Sequence, residues 1–151
     1  VDEAPMIQTL ALPATWKIVE RSDRAVTAFV ERVLALTEPN RCNERRKDVR
    51  RAFPHLLTLT PISDATLRII GDPVTVAGKY LAGRGIDFYH SEPLPFRHAV
   101  VSFEESLHLD AHFILDITWC RFLRPGWYDS GGRFTHIVTP LGSDALKTCG
   151  T

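Results

Sequence analysis

The sequence predicts an α+β domain in which N-terminal helices pack on a small antiparallel sheet. Helical spacing of apolar residues marks the first third of the chain, and strict apolar–polar alternation marks the stretch from 98 to 119. A chain of 151 residues is also long enough to bury a core without disulfides or metals. We therefore expect residues 1–151 to form a single domain, with residues 1–15 as a lead-in arm.

The first predicted helix begins at Ser22, a residue type that caps free N–H groups at helix starts. It ends before Pro39, and a second helix is predicted from Arg41 or Cys42 to Ala52, stopped by Pro54. The first helix presents apolar side chains at helical spacing. These are Val26, Phe29, Val30, Val33, Leu34 and Leu36.

The middle of the chain is predicted to mix short strands and helices. Asp72-Pro73 has the pattern of an N-cap followed by proline, so a helix is expected over Val74 to Ala82. Leu56 to Thr60 and Ile86 to Tyr89 are expected to be strands, and Asp64 to Ile70 a brief helical turn. Short β pieces, such as Phe134 to Val138, follow near the end.

A β-hairpin is the clearest feature of the sequence. Ala99, Val101 and Phe103 alternate with polar residues in its first strand, and Phe113 and Leu115 do so in its second. The apolar faces of paired strands must coincide, because a slip of one residue would expose one of them to water. His98 and Asp116 then share the polar face. A turn centred near Leu107 places them directly opposite each other.

Charge and hydropathy argue against two classes of partner. The formal net charge is zero, which disfavours nucleic acid or an anionic membrane surface as the main partner. The basic run Arg41 to Arg51 is interleaved with Glu44 and Asp48, as on a solvated helix face. No apolar run approaches the roughly 20 residues of a membrane-spanning helix, so no membrane association is expected.

The chain has three cysteines, Cys42, Cys120 and Cys149. A small odd number is not a disulfide framework and favours a reducing compartment such as the cytoplasm, although a Cys120–Cys149 bridge stays open. Cys120 is expected to be structural. The chain begins at Val1 and has Met6 as its one methionine, so we expect a piece excised from a longer effector or toxin-like protein, delivered to its compartment after secretion.

Three residues have the chemistry of a thiol nucleophile site. A thiol needs a base to take its proton and a third group to orient that base. Cys42 falls near a predicted helix start, where the helix dipole favours the thiolate. His98 would be the base and Asp116 its orienting carboxylate. Asn40 is a candidate for stabilising the oxyanion, together with nearby backbone N–H groups.

The two hairpin segments, Phe96 to Val101 and Ile114 to Trp119, resemble strands of papain-like and transglutaminase-like cysteine enzymes. Those enzymes carry a His-Ala-Trp-Val strand followed by a hydrophobic-Asp-Pro-Thr-Trp strand. The resemblance implies a papain-like or transglutaminase-like fold and the triad Cys42, His98 and Asp116. Val100 and Ile117 depart from the pattern, and the helix after Cys42 is more charged than such enzymes use.

The favoured hypothesis is therefore a thiol-dependent hydrolase, without a cofactor, that acts on an amide of a protein substrate. Glutamine deamidation, proteolysis and transamidation share this chemistry. A non-enzymatic protein-binding module that uses the hairpin or the basic helix is the first alternative. The second is a small metal-dependent hydrolase built on His108, Asp110 and His112, which alternate along a strand and could face one ion.

Overall fold

The computed structural model describes residues 16–37, 50–63 and 65–140. Within these ranges the protein is an antiparallel β structure with one α-helix and one short 3₁₀ helix. The elements in chain order are β1 (Trp16–Glu20), α1 (Asp23–Thr37), β2 (Arg51–Ala52), β3 (Leu56–Pro61), β4 (Val74–Ala82), β5 (Gly85–His90), β6 (His98–Phe103), the 3₁₀ helix (Glu105–Leu107), β7 (His112–Arg124) and β8 (Trp127–Pro140).

Six of the strands close into an antiparallel barrel. The neighbours run β3–β4–β5–β8–β7–β6, and β6 pairs again with β3. β1 extends the sheet along the second half of β8, and β2 pairs with the end of β4. The predicted α+β fold, with N-terminal helices on a small papain-like or transglutaminase-like sheet, is wrong. The physical difference is that the sheet closes on itself and encloses its own core.

The first helix matches its prediction. The Ser22 hydroxyl accepts a hydrogen bond from the Ala25 backbone N–H at 3.1 Å, as an N-cap does. Val26, Val30, Val33 and Leu34 are buried against the barrel side chains in one continuous core. α1 thus supplies apolar cover to the barrel, with four buried residues at helical spacing.

The core is built around aromatic rings. Phe113 stacks on Phe134 with ring centroids 4.3 Å apart, and Phe29 of α1 lies 5.4 Å from Phe113. The edge of Phe103 meets Phe113 at 6.3 Å. These rings join α1 to β6, β7 and β8, because each of those elements contributes one of them.

One helix prediction is wrong, and another is wrong at its end. Val74–Ala82 is strand β4, with β3 on one side and β5 on the other. Its β-branched start, Val74 to Val76, suits a pleated surface better than a helix. The predicted second helix reaches Arg51–Ala52, which is strand β2, and its earlier part lies outside the described residues.

Gly78 permits a close contact between β4 and the chain that joins β2 to β3. A Cβ at Gly78 would overlap the Phe53 carbonyl oxygen, and the Gly78 N–H donates to the His55 carbonyl oxygen at 2.8 Å. The chain between β2 and β3 therefore crosses closely over β4 at this glycine. Only a residue without a side chain permits that approach.

The predicted hairpin is confirmed in its register. His98 pairs with Asp116, and Ala99 pairs with Leu115. Phe113 and Leu115 are fully buried, as the alternation predicts. The turn is the 3₁₀ helix Glu105–Leu107, close to its predicted centre. In the segment predicted as a brief helical turn, the Leu67 N–H donates to the Ser63 carbonyl oxygen at 2.8 Å, and Ile62 forms an isolated bridge with Ile69; Asp64 lies outside the described residues.

The outside of the barrel has a covered side and an open side. Val100, Ile114 and Val138 form an outer apolar cluster that Trp16 of β1 and Leu67 cover. On the β4 and β5 side, the outward side chains are exposed or half-buried, as at Thr75, Ala77 and Tyr89. The open side is where the candidate site lies.

Candidate functional site

Two of the three predicted triad residues come together on the outer face of the barrel. His98 Nε2 lies 3.5 Å from Asp116 Oδ1, and both side chains are 24% exposed. Asp116 also receives two N–H bonds from Arg97, from Nε at 2.7 Å and from Nη2 at 3.4 Å. The Asp116 carboxylate therefore contacts both the His98 imidazole and the Arg97 guanidinium. Cys42 and Asn40 lie outside the described residues.

The second predicted constellation does not form a metal site. His108 takes a left-handed conformation at the end of the 3₁₀ helix, with a φ of 54°. Within the described ranges, no group of three or more His, Cys, Asp or Glu side chains is arranged to hold a metal ion. The alternation that pointed to a shared ion ends at this turn, because the strand begins only at His112.

His112 instead belongs to a hydrogen-bonded chain between neighbouring strands. Its Nδ1 lies 2.8 Å from the Ser102 hydroxyl, and its Nε2 lies 3.3 Å from Asp110 Oδ1. Burial lowers the pKa of His112, with an opposing contribution from the Asp110 carboxylate. A neutral ring that bonds at both nitrogens suits a cross-strand structural role.

A long hairpin, here called the arm, consists of the second half of β7 and the start of β8 (residues 118–128). Its turn has Pro125 followed by Gly126 at a φ of +80°, the signature of a type II turn. Every side chain from 118 to 127 is exposed. Four of them are large and apolar: Trp119, Phe122, Leu123 and Trp127.

The exposed apolar side chains of the arm set it apart from an ordinary polar hairpin. Exposed apolar residues scattered singly are normal on proteins, but contiguous patches rimmed by charge mark interaction sites. Trp127 is 45% exposed, and Arg124 lies over its ring with 5.7 Å to the centroid. The arm therefore has the composition of an interface rather than of a solvated loop.

A bulge in β4 brings the side chains of Lys79 and Tyr80 to the same outer face beside the arm. The pairing of β4 with β5 skips Lys79, between Gly78 and Tyr80. Bulges re-aim side chains in this way. Lys79 Nζ lies 5.5 Å from the Tyr80 ring centroid and 5.0 Å from the Tyr89 ring centroid.

A buried carboxylate ties this face together. Asp129 is fully buried and accepts bonds from Arg121 Nε at 3.1 Å and Nη2 at 2.8 Å, and from Lys79 Nζ at 3.1 Å. The bonds from Arg121 lower the pKa of Asp129, burial opposes them, and Lys79 adds to the lowering. In return, the hydrogen bond to Asp129 raises the pKa of Lys79. β4, β7 and β8 are thereby joined across the outer face of β5.

An open groove lies between the arm and the outer face of β4 and β5. It consists of two adjoining cavities of about 510 Å³ and 340 Å³, which share Ala77, Tyr89 and Trp127. The larger one also touches Leu123 and Arg124, and the smaller one reaches Leu56. The rings of Trp127 and Tyr89 meet edge to face with centroids 5.9 Å apart, so an aromatic pair lines both cavities.

Comparisons of this chain with protein-family models, curated proteins and solved structures found no match. The site therefore has to be interpreted from its own chemistry. In the described part of the chain, no helix is long and apolar enough to cross a membrane.

The groove was missed by the interpretation of the sequence, which centred on His98 and Asp116. One signal was present: aromatic residues and arginines occur together from Trp119 to Tyr128, around the Pro125-Gly126 turn. Tyr89 and Lys79 carried no signal of their own, because only the bulge and the folding of the arm bring them near Trp127. Cys120, expected to be structural, is exposed on the arm, and Cys149 lies outside the described residues.

Proposed function

We propose that this domain is a non-enzymatic protein-binding module that binds its partner in the groove between the arm and β4–β5. The observation that carries the proposal is the concentration of exposed large apolar side chains on the arm, two of which, Leu123 and Trp127, line an open groove. Binding surfaces use tryptophan, tyrosine and arginine as their main anchors. Trp127, Tyr89 and Arg124 supply all three types within one groove.

Large apolar side chains that stay in water carry an unfavourable free energy, which a bound partner removes. Each square ångström of apolar surface that a partner covers is worth about 25 cal/mol. Trp127, Leu123 and Leu56 are about half exposed, so a partner has apolar surface left to cover. The groove is also held in shape before binding, because Asp129 joins its supporting strands. A preformed surface loses less conformational entropy on binding.

Selection from a displayed random peptide library, with the immobilised protein as target, tests the proposal. We expect enriched peptides whose affinity falls about tenfold or more in Trp127→Ala, as for an interface anchor. Ile70→Ala is the matched control, because Ile70 is also a large exposed apolar residue but lies away from the arm. Failure to enrich any peptide, or enriched peptides that bind Trp127→Ala as tightly as the unchanged protein, would contradict the proposal.

A thiol-dependent enzyme acting on a protein amide is a second proposal, with Cys42 as nucleophile. The observation that favours it is the distance of 3.5 Å between His98 Nε2 and Asp116 Oδ1. An activated thiol has a pKa well below the usual value of about 8.5. Iodoacetamide at about pH 6.5 should then modify Cys42 before Cys120 or Cys149. Equal labelling of the three thiols would count against this second proposal.

A further inference from the structure

The charged groups beside the groove are not equally accessible. Two carboxylates, Asp87 and Asp129, are 13% and 0% exposed, whereas the guanidinium-bearing side chains bonded to them, Arg50 and Arg121, are 63% and 60% exposed. The negative charges lie beneath the surface and the positive charges lie on it. A partner that approaches these two ion pairs therefore meets their guanidinium groups first.

The exposed arginines keep hydrogen-bonding capacity. A guanidinium has five N–H donors. Arg50 uses Nη1 for Asp87 at 2.9 Å, and Arg121 uses Nε and Nη2 for Asp129. Arg124 stands at the groove itself, where it contacts the Trp127 ring. Their remaining donors suit carboxylates of a partner, which arginine binds through two parallel bonds.

We infer that the partner presents an acidic peptide segment with an apolar or aromatic anchor residue, which inserts beside Trp127 over Ala77. This inference rests on the proposed function and adds the chemistry of the partner to it. The anchor would contact Tyr89, Trp127 and Leu123, and the flanking acidic residues would face Arg124 and Arg121. The small side chain of Ala77 leaves room on the groove floor.

A peptide fits this surface better than a nucleic acid does. Leu56, Leu123 and Trp127 are exposed aliphatic and aromatic groups that line the groove, and an acidic peptide with an apolar anchor carries side chains that match them. Nucleic-acid surfaces extend their positive charge along a backbone track, because most of the affinity comes from phosphates. Here the whole chain has a formal net charge of zero, which does not favour such a track.

Fluorescence anisotropy with labelled synthetic peptides tests the inference. One peptide has a single tryptophan flanked by glutamates, and its matched partner has lysines in place of the glutamates. We expect the acidic peptide to bind at least about tenfold more tightly than the lysine peptide, and to weaken as salt rises from about 50 to about 200 mM. Arg124→Glu should weaken the acidic peptide about tenfold and strengthen the lysine peptide.

Arg24→Glu is the matched control, because Arg24 is an exposed arginine on α1 away from the groove. Equal affinity for the two peptides, or no effect of Arg124→Glu, would overturn the inference. Tighter binding of a single-stranded dT oligonucleotide would also overturn it, in favour of nucleic acid. Library peptides that depend on Trp127 but not on Arg124 would refute only the acidic partner, whereas peptides that do not depend on Trp127 would refute the proposed function.

Discussion

The two halves of β7 show how one strand can serve both the core and the surface. From His112 to Asp116 the strand pairs with β6 on one side and β8 on the other, and its inward side chains are buried. From Trp119 to Arg124 its only pairing among the described strands is with β8, and its side chains are exposed. The same apolar residue types therefore stabilise the fold in one half and remain available for binding in the other.

The presence of an apolar residue in a strand therefore does not show whether that residue stabilises the core or binds a partner. Phe113 and Phe122 lie nine positions apart in the same strand, yet one is 0% exposed and the other 59%. The difference is the presence of β6 and α1 over the first half. Burial, and with it the contribution to stability, depends on which elements cover the side chain.

The largest expected effect is on stability, from Phe113→Ala. Phe113 touches rings from α1, β6 and β8, so its truncation should lower the free energy of unfolding by about 3–5 kcal/mol. Phe122→Ala is the matched control in the arm and should stay within about 0.5 kcal/mol. Denaturant melts measure both variants. Similar decreases in the free energy of unfolding for the two variants would show that the arm is part of the core, and that the two halves of β7 do not differ in role.

An intermediate effect is expected from Asp129→Asn, which removes the charge that joins the arm to β4. The free energy of unfolding should fall by about 1–3 kcal/mol near pH 7, because Asp129→Asn weakens hydrogen bonds to a charged group. The folded-state pKa of Asp129 lies below its usual value, since Arg121 and Lys79 bind the carboxylate. Its contribution is therefore present above a pH of about 4 and is lost as the pH falls through the folded-state pKa.

Melts of the original protein and of Asp129→Asn across acidic pH values measure this dependence. The gap in stability between the two should narrow as the pH falls. A gap that stays constant, or widens, would mean that the Asp129 charge does not stabilise the fold.

The smallest effect on stability is expected from Asp116→Ala, in the half of β7 that pairs with β6. Asp116 is partly exposed and pairs with Arg97 and His98, so the loss should be about 0–1 kcal/mol. The same variant bears on the second proposal, because an orienting carboxylate is worth orders of magnitude in the rate of a thiol enzyme. A large loss of stability in the melts would assign Asp116 to the structural framework.

Local sequence signals predicted several elements correctly. The Ser22 cap and the helical spacing of Val26, Val30 and Val33 predicted α1, because both signals act within a few residues. The hairpin register of His98 and Asp116 was predictable for a related reason. Two alternating segments joined by a short turn have only one arrangement that buries both apolar faces.

Long-range pairing explains what the sequence interpretation got wrong. The segment Val74 to Ala82 follows an Asp-Pro pair that is typical of a helix start, but two neighbouring strands supply hydrogen bonds to it as β4. Local preference is worth less than the pairing of a whole central strand. The alternation likewise predicted a strand up to Trp119, but nothing local indicated that β7 continues to Arg124 or that β6 stops covering it.

The sequence by itself determined α1 and the β6–β7 hairpin, because each depends on residues close along the chain. Only the tertiary structure decided that the pairings β3–β6 and β5–β8 close a barrel, that the bulge at Lys79 turns its amine toward Asp129, and that Trp127 lies against Tyr89. These contacts join residues 38 to 50 positions apart. Bringing such distant residues together depends on the packing of the whole barrel, for which short-range patterns contain no signal.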